Sequence, residues 1–165
     1  MNRKVALILA LALLGAVTAG YSLAPHLRPE GGAVTDNERP KLLLECDGIK
    51  VELSLTGNEK LEYNWTHSVE GTPIVEIYKV TPEGLTLIET RAKSFGAGHP
   101  YNAEEIGGVF KGEVNGWLVY TANYTIGPRL EIMGSPDFPA NITVWSGDRW
   151  VSCSVVEHAL IIVTP

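Results

Sequence analysis

The chain has 165 residues, 45% of them hydrophobic and 19% charged, with 13 Lys and Arg against 19 Asp and Glu and a net charge of −6. An acidic balance of this kind argues against nucleic acid and anionic lipid headgroups as partners. Two cysteines with no CxxC motif leave little room for a zinc module, and no cofactor is expected.

Arg3 and Lys4 precede an uncharged run over residues 5–24 that is rich in Leu, Ala and Val. The run is a targeting segment with two readings. Val17-Thr18-Ala19 is an acceptable small-residue cleavage site for a signal peptide, whereas about 20 uncharged residues also suffice for a membrane anchor. Either reading puts the remainder outside the cytoplasm, membrane-anchored or secreted, because positive charge precedes the segment and none follows closely. Residues 1–24 hold two of the 13 basic residues and none of the 19 acidic ones, so the exported part keeps 11 against 19, a net charge of −8. Residues 25–39, with Pro25, Pro29, Gly31 and Gly32, read as a flexible linker. Residues 40–165 then suit a single domain.

Cys46 and Cys153 stand near opposite ends of that domain, and a disulfide joining the first strand to a late one is the simplest reading in an exported protein, ahead of two buried thiols. Asn64-Trp65-Thr66, Asn123-Tyr124-Thr125 and Asn141-Ile142-Thr143 are glycosylation sequons, with Asn64, Asn123 and Asn141 as the acceptors.

The predicted elements are strands. Asp47-Gly48 separates 41–46 from 49–55, Gly57-Asn58 leads into 61–69, Gly71-Thr72-Pro73 turns into 74–80, and Pro82-Glu83-Gly84 precedes 85–92. These five segments read as a meander. Asn115-Gly116 joins 109–114 to 117–126, and short strands follow at 129–133, 141–145, 150–154 and 159–163. No stretch shows helical periodicity. The expected fold is all-β, an antiparallel sandwich or partly open barrel of about ten short strands. Trp117, Trp145, Trp150 and the tyrosines are assigned to its core ahead of a carbohydrate platform, and His158 to the surface.

Alternation within 61–69 puts Leu61, Tyr63, Trp65, His67 and Val69 on one face, so a histidine stands where an apolar residue is expected. A four-residue turn over 70–73 sets His67 opposite Glu76, and a turn centred on Pro82-Glu83 sets Glu76 opposite Glu89 and Ile74 opposite Arg91. The result is a polar row of His67, Glu76 and Glu89. Carboxylates so placed have Cβ atoms about 5 Å apart and need compensation by protonated His67, by Arg91, by a shared proton or by a cation. A buried ion-pair network, a ligand site and a weak metal site at His67, Glu76 and Glu89 all remain open. A turn of different length would slip the register. The loop after Arg91, with Ser94, Gly96, Gly98 and His99, leaves from the sheet end that also carries Glu70, and is either a glycine-rich crossover or an anion-binding nest over the row. Ser68 and His67 point to opposite faces and make a poor nucleophile and base pair. Ser94 with His99 or His67 is the remaining option of that kind.

The blocks Thr66-His67-Ser68-Val69-Glu70-Gly71-Thr72-Pro73, Glu89-Thr90-Arg91 and Ser94-Phe95-Gly96-Ala97-Gly98-His99-Pro100, with the later Asn115-Gly116-Trp117, resemble the family called domain of unknown function 1850 over about residues 42–163. His99 departs from the apolar residue expected there. The resemblance implies small exported or membrane-tethered proteins that accompany TRAP transporters of the TAXI type, with no activity attached. Three functions remain open: an accessory domain binding a small ligand or a TRAP (TAXI) transporter subunit, a carboxylate- or metal-dependent hydrolase, and a purely structural module.

Overall fold

Leu42, Leu44 and Cys46 are buried while Lys41, Leu43 and Glu45 between them are half-buried, a period of two that defines strand β1 (Lys41–Cys46). The computed structural model describes residues 39–94 and 107–165, all within one compact unit over residues 34–165. Ten further strands follow: β2 (Ile49–Ser54), β3 (Lys60–Thr66), β4 (Pro73–Thr81), β5 (Gly84–Ala92), β6 (Val109–Val114), β7 (Trp117–Gly127), β8 (Arg129–Met133), β9 (Ala140–Ser146), β10 (Arg149–Val155) and β11 (His158–Thr164). The described residues contain no helix.

The strands form two antiparallel sheets, a small one of order β2-β1-β11-β8 and a large one of order β10-β9-β3-β4-β5-β7-β6. The fold is therefore a sandwich and not a barrel. Leu42, Leu44, Ile161 and Val163 of the small sheet pack with Leu61, Tyr78, Val80, Leu85, Ile142 and Val144 of the large one.

The expected five-strand meander is broken after β2, because β3 pairs with β4 and β9 and not with β2. Glu59 explains the crossing. Its side chain is 1% exposed, and its carboxylate accepts hydrogen bonds from Thr56 N (2.8 Å), Thr56 Oγ1 (2.6 Å), Gly57 N (2.9 Å) and Ser146 Oγ (2.9 Å). Val80 N donates to its carbonyl at 3.1 Å. The chain is thereby pinned to β4 and β9 as it leaves the small sheet. Burial opposes ionisation of Glu59, but these hydrogen bonds outweigh it and hold the carboxyl below its ordinary value.

Cys46 on β1 and Cys153 on β10 are joined by a disulfide that links the two sheets, with Cα atoms 6.4 Å apart and a sequence separation of 107. Closing a loop of that length contributes about 4.7 kcal/mol in the chain-entropy account. Asp47 and Gly48 adopt φ of 45° and 85°, as the turn signal requires. The Asp47 carboxylate also accepts from the backbone N–H groups of Val156 (2.8 Å), Glu157 (3.0 Å) and His158 (2.9 Å), which hold its carboxyl below the ordinary range. One hairpin tip thus clamps another.

The assignment of Trp145 and Trp150 to the core is corrected. Ile142 and Val144 take the inward phase of β9, so Trp145 faces outward and meets its cross-strand partner Trp150 at 6.2 Å between ring centroids. The two rings are 42% and 61% exposed.

The depressed carboxyl of Glu59 stabilises the fold above its ordinary value of 4.5, and that contribution is lost as pH falls through the folded value. Glu59→Gln is expected to cost about 1–3 kcal/mol in urea unfolding at neutral pH. The gap to wild type should close as pH drops below 4.5; a gap independent of pH would contradict this assignment.

Candidate functional site

Strand β3 ends at Thr66, three residues earlier than expected, because His67 closes a longer loop instead of extending the ladder. His67 N donates to Thr72 O at 2.9 Å and Gly71 N donates to His67 O at 2.8 Å. Val69 N and Glu70 N both donate to His67 Nδ1, at 3.3 and 3.2 Å. His67 Nδ1 thus caps the loop as a hydrogen-bond acceptor. At 7% exposed, the side chain is sealed into the turn it organises. The longer loop pairs Trp65 with Ile74, Tyr63 with Glu76 and Leu61 with Tyr78, so Glu76 faces Tyr63 and not His67.

A second irregularity separates the two carboxylates. Tyr78 pairs with Leu87, Ile77 with Glu89 and Glu76 with Thr90, which leaves Ile88 as an extra residue in β5. A bulge of this kind reverses the facing of every later residue. Burial accordingly alternates through Leu85 and Leu87, skips, and resumes at Thr90 and Ala92. Glu89 and Arg91 therefore turn outward, where they form an ion pair. They line a cleft of about 540 Å³ with Val114, Asn115, Trp117 and Val119, beside which Lys93 Nζ lies 4.1 Å above the Trp117 ring. The expected row of His67, Glu76 and Glu89 is not formed. Nor is the metal set, for Glu89 lies on the opposite face and His67 Nδ1 is committed to the turn; among the described residues no three potential ligands cluster.

Of the other residues singled out, Glu70 is exposed in the loop, and Ser94 Oγ lies 3.3 Å from Thr72 Oγ1. Gly96, Gly98 and His99 lie outside the described residues. Asn123 and Asn141 are exposed, whereas Asn64 is half-buried and donates through Nδ2 to Glu62 Oε1 at 2.7 Å. His158 Nε2 lies 3.0 Å from Glu131 Oε1 on the surface.

What the registers do bring together is an inward-facing row across four strands: Tyr63, Glu76, Thr90 and Tyr120. Thr90 and Tyr120 are buried, yet they stand apart from the main inter-sheet core, which reaches Tyr78, Leu87 and Ala122. The Tyr78 hydroxyl donates to Glu76 Oε2 at 2.7 Å. Burial pushes the Glu76 carboxyl up, against the opposing effect of that bond. Burial and the Glu76 charge together raise Tyr63 to about 12, and the same two causes hold the Tyr78 phenol well above its ordinary value. None of the ion pairs among the described residues includes Glu76. The rings of Tyr63 and Trp65 stack at 6.2 Å, and Trp65 and His67 at 6.0 Å. Trp65 Nε1 is buried with no acceptor.

Sequence reasoning placed Glu76 correctly on the aromatic face of β3 and β4 but missed Thr90 and Tyr120. The available signal was Leu87-Ile88 followed by Glu89-Thr90, two apolar and then two polar residues, which a regular strand with one solvated face does not tolerate.

Because the Glu76 carboxyl is raised, its contribution to stability is complete below its ordinary value of 4.5 and is lost as pH rises through the folded value. Glu76→Gln is therefore expected to gain on wild type in urea midpoint as pH is taken from about 4 to about 8; a constant difference would contradict the burial of this group. For the turn, His67→Ala should lose about 1 kcal/mol. His67→Asn should retain most of the stability, since an Asn oxygen accepts from the same two N–H groups. Equal losses in the two variants would remove the capping role.

Comparison with curated proteins and with solved structures found no match. The family model described as Domain of unknown function (DUF1850) matches residues 61–152, narrower than the span its motifs suggested, and leaves β1, β2 and β11 outside. That match covers more than half of the chain and contains the whole of the Tyr63, Glu76, Thr90 and Tyr120 row, so the chain belongs to the DUF1850 family.

Proposed function

We propose that this protein is an exported or membrane-tethered accessory domain that binds a small ligand at the inward-facing row around Glu76 and catalyses no reaction. The observation that carries this reading is the Glu76 carboxyl itself. It is largely withdrawn from water, is supported by a single tyrosine hydroxyl, and stands among aromatic rings. Glu89 on the other face is closed by Arg91, whereas no ion pair among the described residues includes Glu76. The Trp65 N–H supports the same reading, because a buried donor without an acceptor costs about 1–3 kcal/mol and a ligand oxygen would remove that cost. The bulge puts Glu76 and Glu89 on opposite faces, so these two carboxylates do not form a pair for the carboxylate-dependent hydrolase alternative.

A TRAP (TAXI) transporter subunit is the second reading. It is favoured by β6, the last strand of the large sheet among the described residues, where Val109 and Val114 are exposed.

Native mass spectrometry of the full chain, isolated gently from the membranes or medium of its own host, tests the first reading. The expected result is a small-molecule adduct that disappears in Glu76→Gln and Tyr63→Leu. An unliganded mass throughout, or an adduct indifferent to both substitutions, would overturn it.

A further inference from the structure

We infer that the margin between β2 and β10 holds a single alkyl chain that ends in a carboxylate, at a site separate from the row around Glu76. Strands β2 and β10 end the small and the large sheet among the described residues. Along both of them run two cavities, of about 550 and 350 Å³, that share Val151. Their walls are the inward rows of these end strands. Ile49, Val51 and Leu53 stand opposite Cys46, Leu44 and Leu42 of β1, and Val151 and Cys153 stand opposite Val144 and Ile142 of β9, so all five take the phase of the inter-sheet core. Their cross-strand partners are buried, yet Ile49 is 71% exposed and the other four are only half-buried. Apolar surface is thus left partly open to water along this side of the sandwich, and covering it with a hydrocarbon is favourable.

The walls select the body of the ligand. From Ile49 to Leu53 the strand runs about 13 Å, room for an alkyl chain of medium length. Such a chain has no polar group to satisfy between the two rows. An extended peptide would bring backbone N–H and C=O groups against the same side chains, and a sugar would bring hydroxyls. Charge selects the head. Arg39 and Arg149 line the larger cavity, both are exposed, and neither belongs to an ion pair among the described residues. Glu52 at the same end is held by Lys41 at 2.7 Å, and the Glu59 carboxylate is buried behind Thr56 and Ser146, which donate to it. Asp148 is left as the one carboxylate of that lining that is neither paired nor buried, against two guanidinium groups, and a single negative charge closes the balance. A guanidinium fork meets a carboxylate through two parallel hydrogen bonds. The smaller cavity ends at Asp47, whose carboxylate already accepts three backbone N–H groups, so the head belongs at the arginine end.

Titration calorimetry on the full chain, with octanoate, butyrate and octan-1-ol as probes, tests the inference. Octanoate is expected to bind at least about ten-fold more tightly than butyrate, a difference worth about 1.4 kcal/mol, because the longer chain buries more methylenes. It should also bind more tightly than octan-1-ol, which has the chain without the charge. Arg39→Gln and Arg149→Gln together should remove that second preference. Ile49→Asp, at a position exposed enough to tolerate the change, should weaken octanoate about ten-fold. Lys111→Ala, which removes an exposed positive charge from β6, should alter neither preference. Equal affinity for octanoate and butyrate, equal affinity for octanoate and octan-1-ol, or a chain-length preference that survives Ile49→Asp would overturn the inference.

Discussion

One unpaired residue, Ile88, decides which carboxylate faces the interior of the large sheet. Without the bulge, Glu76 and Glu89 would stand opposite each other on one face and would need a shared proton or a cation between them. With it, Glu89 turns outward to Arg91, and Thr90 takes its place beside Glu76. The bulge therefore converts two adjacent like charges into one exposed ion pair and one withdrawn carboxyl.

The turn at His67 and the bulge at Ile88 act together. The loop length sets Tyr63 against Glu76, and the bulge sets Thr90 and Tyr120 in line behind it. Neither feature involves the small sheet. Four strands pack on seven, and the apolar cluster they share reaches Tyr78 and Leu87, with Tyr63 and Trp65 packed against it at the margin. The devices that hold the sheets in this relation lie elsewhere: the Cys46–Cys153 disulfide, the Asp47 clamp on the β10–β11 turn and the buried Glu59 at the crossing from β2 to β3.

Much of the fold was readable from local pattern. Asp47-Gly48 and Asn115-Gly116 adopt the positive φ values that their turn types demand, and each predicted strand overlaps an observed one. Pairing beyond nearest neighbours was not readable. The meander failed at Glu59 because the hydrogen bonds that bury it include one from Ser146, 87 residues away. The site was half legible. His67 was noticed as a polar residue on an apolar face, but its reason is a local one, the capping of Val69 and Glu70 N–H groups, and no spacing rule reports a side chain that bonds its own loop. Glu76 was placed on the correct face. Its partners were misassigned because a register count assumes strands without extra residues, and Ile88 breaks that assumption.

The account turns on Glu76 being withdrawn from water beside Tyr78, and carboxyl-carbon NMR of the side chain reads this directly. With Glu76 assigned by comparison with Glu76→Gln, its titration is predicted to centre above the ordinary carboxyl value of 4.5 and to move down toward it in Tyr63→Ala, which opens the site to water. A Glu76 carboxyl that titrates at the ordinary value in the wild-type protein would contradict its burial and remove the observation on which the binding proposal rests.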